Sequence, residues 1–185
     1  MSPLLFGFIS LLCSVSCRSD DGSQMSILND LYDSTSGNSW TYNMDSSATK
    51  WNFTTDSSGA YLYDSCTDKF AGVQCAKQSI RDLDVSDFGL IGTVPSSLGN
   101  LVSVKELSLG TNMITGTIPT SLGLLTAVDR LDLSSNTFSG SLPYELCQMN
   151  ANSIDISENP YIECYDQCFG TTDITVDCDD EVYYC

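Results

Sequence analysis

The chain has 185 residues, 42% of them hydrophobic, and sets 24 acidic side chains against seven basic ones, with no histidine. A formal charge of −17 leaves no basic stripe to neutralise phosphates, which excludes nucleic acid as a partner and disfavours anionic membranes and polyanionic polymers. Without histidine, neither a Ser-His-Asp nor a Cys-His catalytic centre can be built.

Residues 1–16 are apolar (Leu4, Leu5, Phe6, Phe8, Ile9, Leu11, Leu12) and end in small side chains. The run is shorter than the roughly 20 residues that span a bilayer, and it reads as a secretory signal peptide cut at or shortly after Ser16. A membrane anchor is the alternative, because the segment opens without Lys or Arg. Seven Cys lie beyond Arg18: Cys66, Cys75, Cys147, Cys164, Cys168, Cys178 and Cys185. The absence of Cys-x-x-Cys and His argues against structural zinc, so disulfides in a secreted, extracellular chain are expected, and the fate of Cys17 decides whether all can pair.

Residues 20–78 form an N-terminal unit. Ile27, Leu28, Leu31 and Tyr32 fall at helical spacing within Ser23–Asp33, and the polar cluster 34–39 ends that helix. Trp40, Trp51 and Phe70 are expected to plug the open end of the core that follows. Asn52-Phe53-Thr54 is the one Asn-x-Ser/Thr sequence, a glycan acceptor in a eukaryotic secreted chain.

Residues 79–150 carry one pattern three times. Gly92, Gly116 and Gly140 recur every 24 residues, as do Pro95, Pro119 and Pro143. Such a period is the signature of a stacked solenoid. Leu83 and Val85, Leu107 and Leu109, Leu131 and Leu133, then Ile154 and Ile156 alternate with polar residues, giving short strands with one buried face. Asn112, Asn136 and Asn159 follow the strands at equal offset and should form a buried ladder bonding free backbone groups; Phe88 interrupts that column in the first copy. Val94, Ile118 and Leu142 are core positions, and Leu98, Leu122 and Leu146 sit on short helical returns.

Residues 151–185 are a partial fourth repeat and a Cys-rich acidic cap. Cys147 is expected to pair with Cys164 or Cys168, and Cys178 with Cys185. The acidic run 173–181 lacks the spacing of a dedicated calcium loop and reads as a solvated tail.

The pattern L-x-x-L-x-L-x-x-N-x-L-x-G-x-I-P-x-x-L-G-x-L resembles the plant-type leucine-rich repeat of polygalacturonase-inhibiting proteins and plant receptor-kinase ectodomains. The order helix, Trp40, Trp51, Cys66, Phe70-Ala-Gly-Val-Gln-Cys75 is similar to that family's N-terminal cap, with Phe70 where the family usually shows Trp. The resemblance implies an α/β repeat solenoid, a short right-handed stack with a parallel concave sheet and disulfide-stapled caps. It also implies a Cys66–Cys75 bridge, whose short loop should contribute about 2–3 kcal/mol.

Function then lies on a surface. An open repeat sheet offers no cleft for opposed carboxylates, no phosphate-cradling Gly loop is present, and no catalysis, cofactor or metal is expected. The concave columns comprise Asp82, Glu106, Arg130 and Ser153; Asp84, Ser108, Asp132 and Asp155; Ser86, Gly110, Ser134 and Ser157; and Asp87, Thr111, Ser135 and Glu158. All of these but Ser153 and Gly110 are the candidate contacts. The expected role is extracellular binding of a protein or glycan through this face, at the cell surface or in the matrix. The rival is a structural subunit of a matrix, coat or surface assembly, packing against itself or its neighbours. Binding of ice or mineral comes third, because Ser141 breaks the column begun by Thr93 and Thr117.

Overall fold

The computed structural model describes residues 23–42, 48–164 and 175–177. Helix α1 (Ser23–Ser34) buries Ile27, Leu28 and Leu31 as the sequence predicts, adds Met25, and leaves Tyr32 only partly buried against the core. Strand β1 (Val73–Ala76) lies antiparallel to β2 (Ser79–Asp84) and covers the first edge of the main sheet. Each coil then supplies one strand to each of two parallel sheets. The first coil adds β3 (Ile91–Gly92), the second β4 (Glu106–Ser108) and β5 (Met113–Gly116), and the third β6 (Arg130–Asp132) and β7 (Thr137–Ser141). The fourth adds β8 (Ser153–Asp155) and β9 (Tyr161–Cys164), and β10 (Thr175–Asp177) pairs in parallel with β8. The main sheet has the order β1-β2-β4-β6-β8-β10 and the second β3-β5-β7-β9.

The chain returns between coils through 3-10 turns at Ser96–Asn100, Thr120–Leu124 and Tyr144–Gln148, tighter than the α-helical turns such a return could have used. The preceding Pro95, Pro119 and Pro143 hold extended backbone at the entry of each turn. Leu98, Leu122 and Leu146 close the core from that side, and Val94, Ile118 and Leu142, each just before its Pro and beyond the second-sheet strand, are buried as well.

The Asn ladder holds the coils together. Asn136 donates from Nδ2 to the Leu109 carbonyl of the previous coil at 3.0 Å and to Leu133 and Ser134 in its own, while Oδ1 accepts the Ile114 N–H. Asn112 repeats this with Val85 and Leu90, and Asn159 with Leu133 and Phe138. Each therefore saturates backbone groups that the turn would leave unpaired in a dry interior.

Phe88, standing where that column would begin, joins the cap instead. Its ring lies 6.0 Å from Trp40, which meets Trp51 edge-on at 4.8 Å, and Trp51 stacks on Phe70. All three of the predicted plug residues are buried. The indole N–H groups reach the Thr35 and Ala71 carbonyls, so burial leaves neither unbonded. The Cys66–Cys75 disulfide is formed, with 5.5 Å between Cα atoms. Gly92 marks where α1 meets the stack: at φ 139°, a Cβ would stand 2.0 Å from the Ser34 carbonyl oxygen.

The expected leader 1–16, the side chains of Cys147 and Cys164, and Cys168, Cys178 and Cys185 lie outside the described residues, as does most of the acidic run 173–181. No described helix is long and apolar enough to cross a membrane.

Candidate interaction face

The strand register brings the predicted columns together. Asp82 pairs with Glu106, Glu106 with Arg130, and Arg130 with Ser153. The next outward column runs Asp84, Ser108, Asp132, Asp155. Parallel strands stand about 4.8 Å apart, so these side chains form rows at that spacing. All fourteen candidate residues are at least partly solvent-exposed, while the Leu, Val and Ile between them are buried.

Hydrogen bonding divides the face into two classes that sequence spacing alone does not separate. Asp84, Asp132 and Asp155 each turn Oδ1 onto the N–H and hydroxyl of the serine two residues on: Ser86, Ser134 and Ser157. These Asx clasps fix the strand-to-turn corner and commit one carboxylate oxygen of each aspartate to it. The second coil has Ser108 and Gly110 at those positions. There Asp132 fills the gap: a Cβ on Gly110 would stand 2.9 Å from its Oδ1, and Ser108 Oγ donates to its Oδ2 at 3.4 Å.

The fourth column is committed through its backbone. Asp87, Thr111, Ser135 and Glu158 all adopt left-handed φ between 51° and 55°, the bend that swings each following residue (Phe88, Asn112, Asn136, Asn159) into the core. Ser135 also donates its hydroxyl to Glu158. Asp82 and Glu106 make no such contact with the corner and project freely, and Arg130 is held only by a loose 3.8 Å approach to Asp132. Lys105, beside the face, pairs with Asp129 at 3.3 Å.

Two features carry no sequence signal in the columns. Strand β10 adds a backbone strand beside β8, with Thr175 in register with Ser153 and Asp177 with Asp155. The second sheet exposes Ile91 and Met113 as a cross-strand pair. Among the described residues no group of three or more Cys, Asp or Glu side chains is arranged to hold a metal.

Residues 103–125 and 128–149 match the family model described as Leucine Rich Repeat. Among solved structures, the chain is similar to the ectodomain of the plant membrane receptor kinase GASSHO1/SCHENGEN3 from Arabidopsis thaliana, in complex with CASPARIAN STRIP INTEGRITY FACTOR 2. The TM-score is 0.58 at 25% identity over 74% of this chain and 16% of that one. The PEPR1–AtPEP1 structure follows at TM-score 0.57 and 19% identity, covering 85% of this chain and 24% of that one. The SOBIR1 receptor-kinase ectodomain from Arabidopsis thaliana, at TM-score 0.57 and 16% identity, is covered to 95% by 89% of this chain. The last two likenesses are of fold. The chain thus spans under a quarter of the first two ectodomains and nearly all of the third. No curated protein matches its sequence.

Proposed function

We propose that this chain, whose residues 103–125 and 128–149 match the Leucine Rich Repeat model and whose fold is similar to plant receptor-kinase ectodomains, is an extracellular, non-catalytic recognition module whose concave face binds a protein partner. The observation that carries this is the register of the face: solvent-facing polar columns on a rigid parallel sheet, with the apolar residues between them wholly buried. Rigid scaffolds lose little conformational entropy on binding, which suits them to recognition. Two of the similar structures are named with a partner, CASPARIAN STRIP INTEGRITY FACTOR 2 in one and AtPEP1 in the other, and this supports the reading by analogy.

Acids outnumber bases on the face, where Arg130 is the one cation among the fourteen residues. The partner's contacting surface is accordingly basic, because like charges across an interface repel. Asp82, Glu106 and Arg130 are the residues free to meet it, since the clasped aspartates already hold the corner.

The test is crosslinking of the tagged full chain in its native extracellular material, with mass spectrometry of what is captured. Glu106→Arg combined with Asp82→Arg should abolish capture of the wild-type partner while leaving the circular dichroism spectrum intact. Equal recovery of the same partner by the variant sinks the proposal. The rival, a subunit of a larger assembly, draws on the exposed Ile91–Met113 pair on the second sheet. A concentration-dependent oligomer that Met113→Ser disperses would favour it.

A further inference from the structure

We infer that Asn52 carries an N-linked oligosaccharide, and that its first sugar covers the exposed Leu62 on the outer face of the cap. This rests on the extracellular placement proposed above. Asn52 Oδ1 accepts both the Thr54 hydroxyl at 2.6 Å and the Thr54 N–H at 3.0 Å. Its Nδ2 makes no hydrogen bond among the described residues, and residues 54–60 are exposed. A bulky substituent therefore meets open solvent there, not packed chain. The hydroxyl on the amide oxygen draws electron density from the carbonyl and so helps Nδ2 to release a proton.

In the transfer, Nδ2 forms a bond to the anomeric carbon of a lipid-diphosphate-linked oligosaccharide. The bond from that carbon to the diphosphate oxygen breaks, the diphosphate leaves with the electron pair, and the proton lost from Nδ2 ends on the released diphosphate.

The neighbouring hairpin gives the sugar a seat. Thr55 and Tyr61 form an antiparallel bridge, and the Leu62 N–H donates to the Thr54 carbonyl. Alternation then puts Phe53 and Tyr61 on one side, where their rings pack together at 6.2 Å against the core, and Asn52, Thr54 and Leu62 on the other. Leu62 is 45% exposed there, a large apolar side chain on the same side as the glycan acceptor. The apolar face of a pyranose fits such a shelf.

The full chain is expressed in a eukaryotic secretory host, once with its own N-terminal segment and once behind an established secretion leader, and intact masses are read before and after peptide-N-glycosidase. The expected result is one oligosaccharide increment in both, removed by the enzyme with conversion of Asn52 to Asp. It should be lost in Asn52→Gln and Thr54→Ala, and kept in Thr54→Ser. Enzymatic removal from the folded wild type should raise binding of an apolar dye, and Leu62→Ser should abolish that rise. An unmodified chain behind the supplied leader overturns the inference whatever the secretion route. Sugar with that leader but none with the native segment overturns the extracellular placement and leaves the acceptor standing. No change in dye binding on deglycosylation overturns the seat at Leu62.

Discussion

Asn136 occupies a site where one side chain answers for several backbone groups in two coils. Asn136→Ala should cost about 1–3 kcal/mol, because buried carbonyls and an N–H lose their partners with no water to replace them. Urea titration checks this, and an unchanged midpoint removes the ladder from the account of stability. Thr111 presents the opposite case: a β-branched residue held at φ 55° with an exposed side chain. Thr111→Asn should stabilise by about 1 kcal/mol, since Asn tolerates the left-handed region and Thr does not. Thermal melts of the pair decide it. Legibility at this scale was uneven. The ladder could be foreseen because a polar residue recurring after every strand has little else to do in a core. The division of the concave aspartates could not, because Asp-x-Ser reads identically whether its carboxylate faces a ligand or its own turn.

Among the elements, the cap depends on aromatic packing more than on its helix. Trp40 touches Tyr32, Tyr42, Trp51 and Phe88, and Trp40→Ala should cost about 3–5 kcal/mol and expose the first coil. Loss of near-ultraviolet dichroism at a lower denaturant midpoint is the expected readout. The same cluster sets an alkaline limit. Burial, aided by the neighbouring Tyr32, pushes the Tyr42 phenol from 10.0 to about 12. A phenol that ionises at 10 when unfolded and about 12 when folded stabilises the fold fully below pH 10, and that contribution is lost as pH rises toward 12. Tyr42→Phe should therefore flatten the fall in stability between those limits, as read by melting temperature against pH. The strands of the main sheet were legible because Leu and its homologues alternate there with polar residues. The second sheet was not, because its outward residues (Ile91, Thr115, Ser139) follow no alternation and its pairing arises only once coils stack. Strand β10 was hidden for a related reason: Thr175-Val-Asp177 lies outside the repeat and gains its partner through β8.

For the whole molecule, charge is distributed unevenly. Sixteen of the 24 acidic residues but only two of the seven basic ones lie beyond residue 81, so the repeats and tail carry most of the net charge. Such a surface repels itself, and salt screens that repulsion over a Debye length of about 8–10 Å near physiological ionic strength. The melting temperature should rise between low and moderate sodium chloride, which scanning calorimetry resolves. Association with a basic partner should slow over the same range, because steering weakens.

Among the described residues each ladder Asn bonds the coil before it and none bonds the coil after it. Every Asn amide reaches back to the coil before it, from Asn112 to Val85, Asn136 to Leu109 and Asn159 to Leu133. The stack consequently has a grain, like overlapping roof tiles in which each course is pinned by the one laid after it. No later Asn among the described residues pins the last course, and β10 rests against its edge. Erosion should begin there and travel toward the N-terminus, with the aromatic cap the last part to let go.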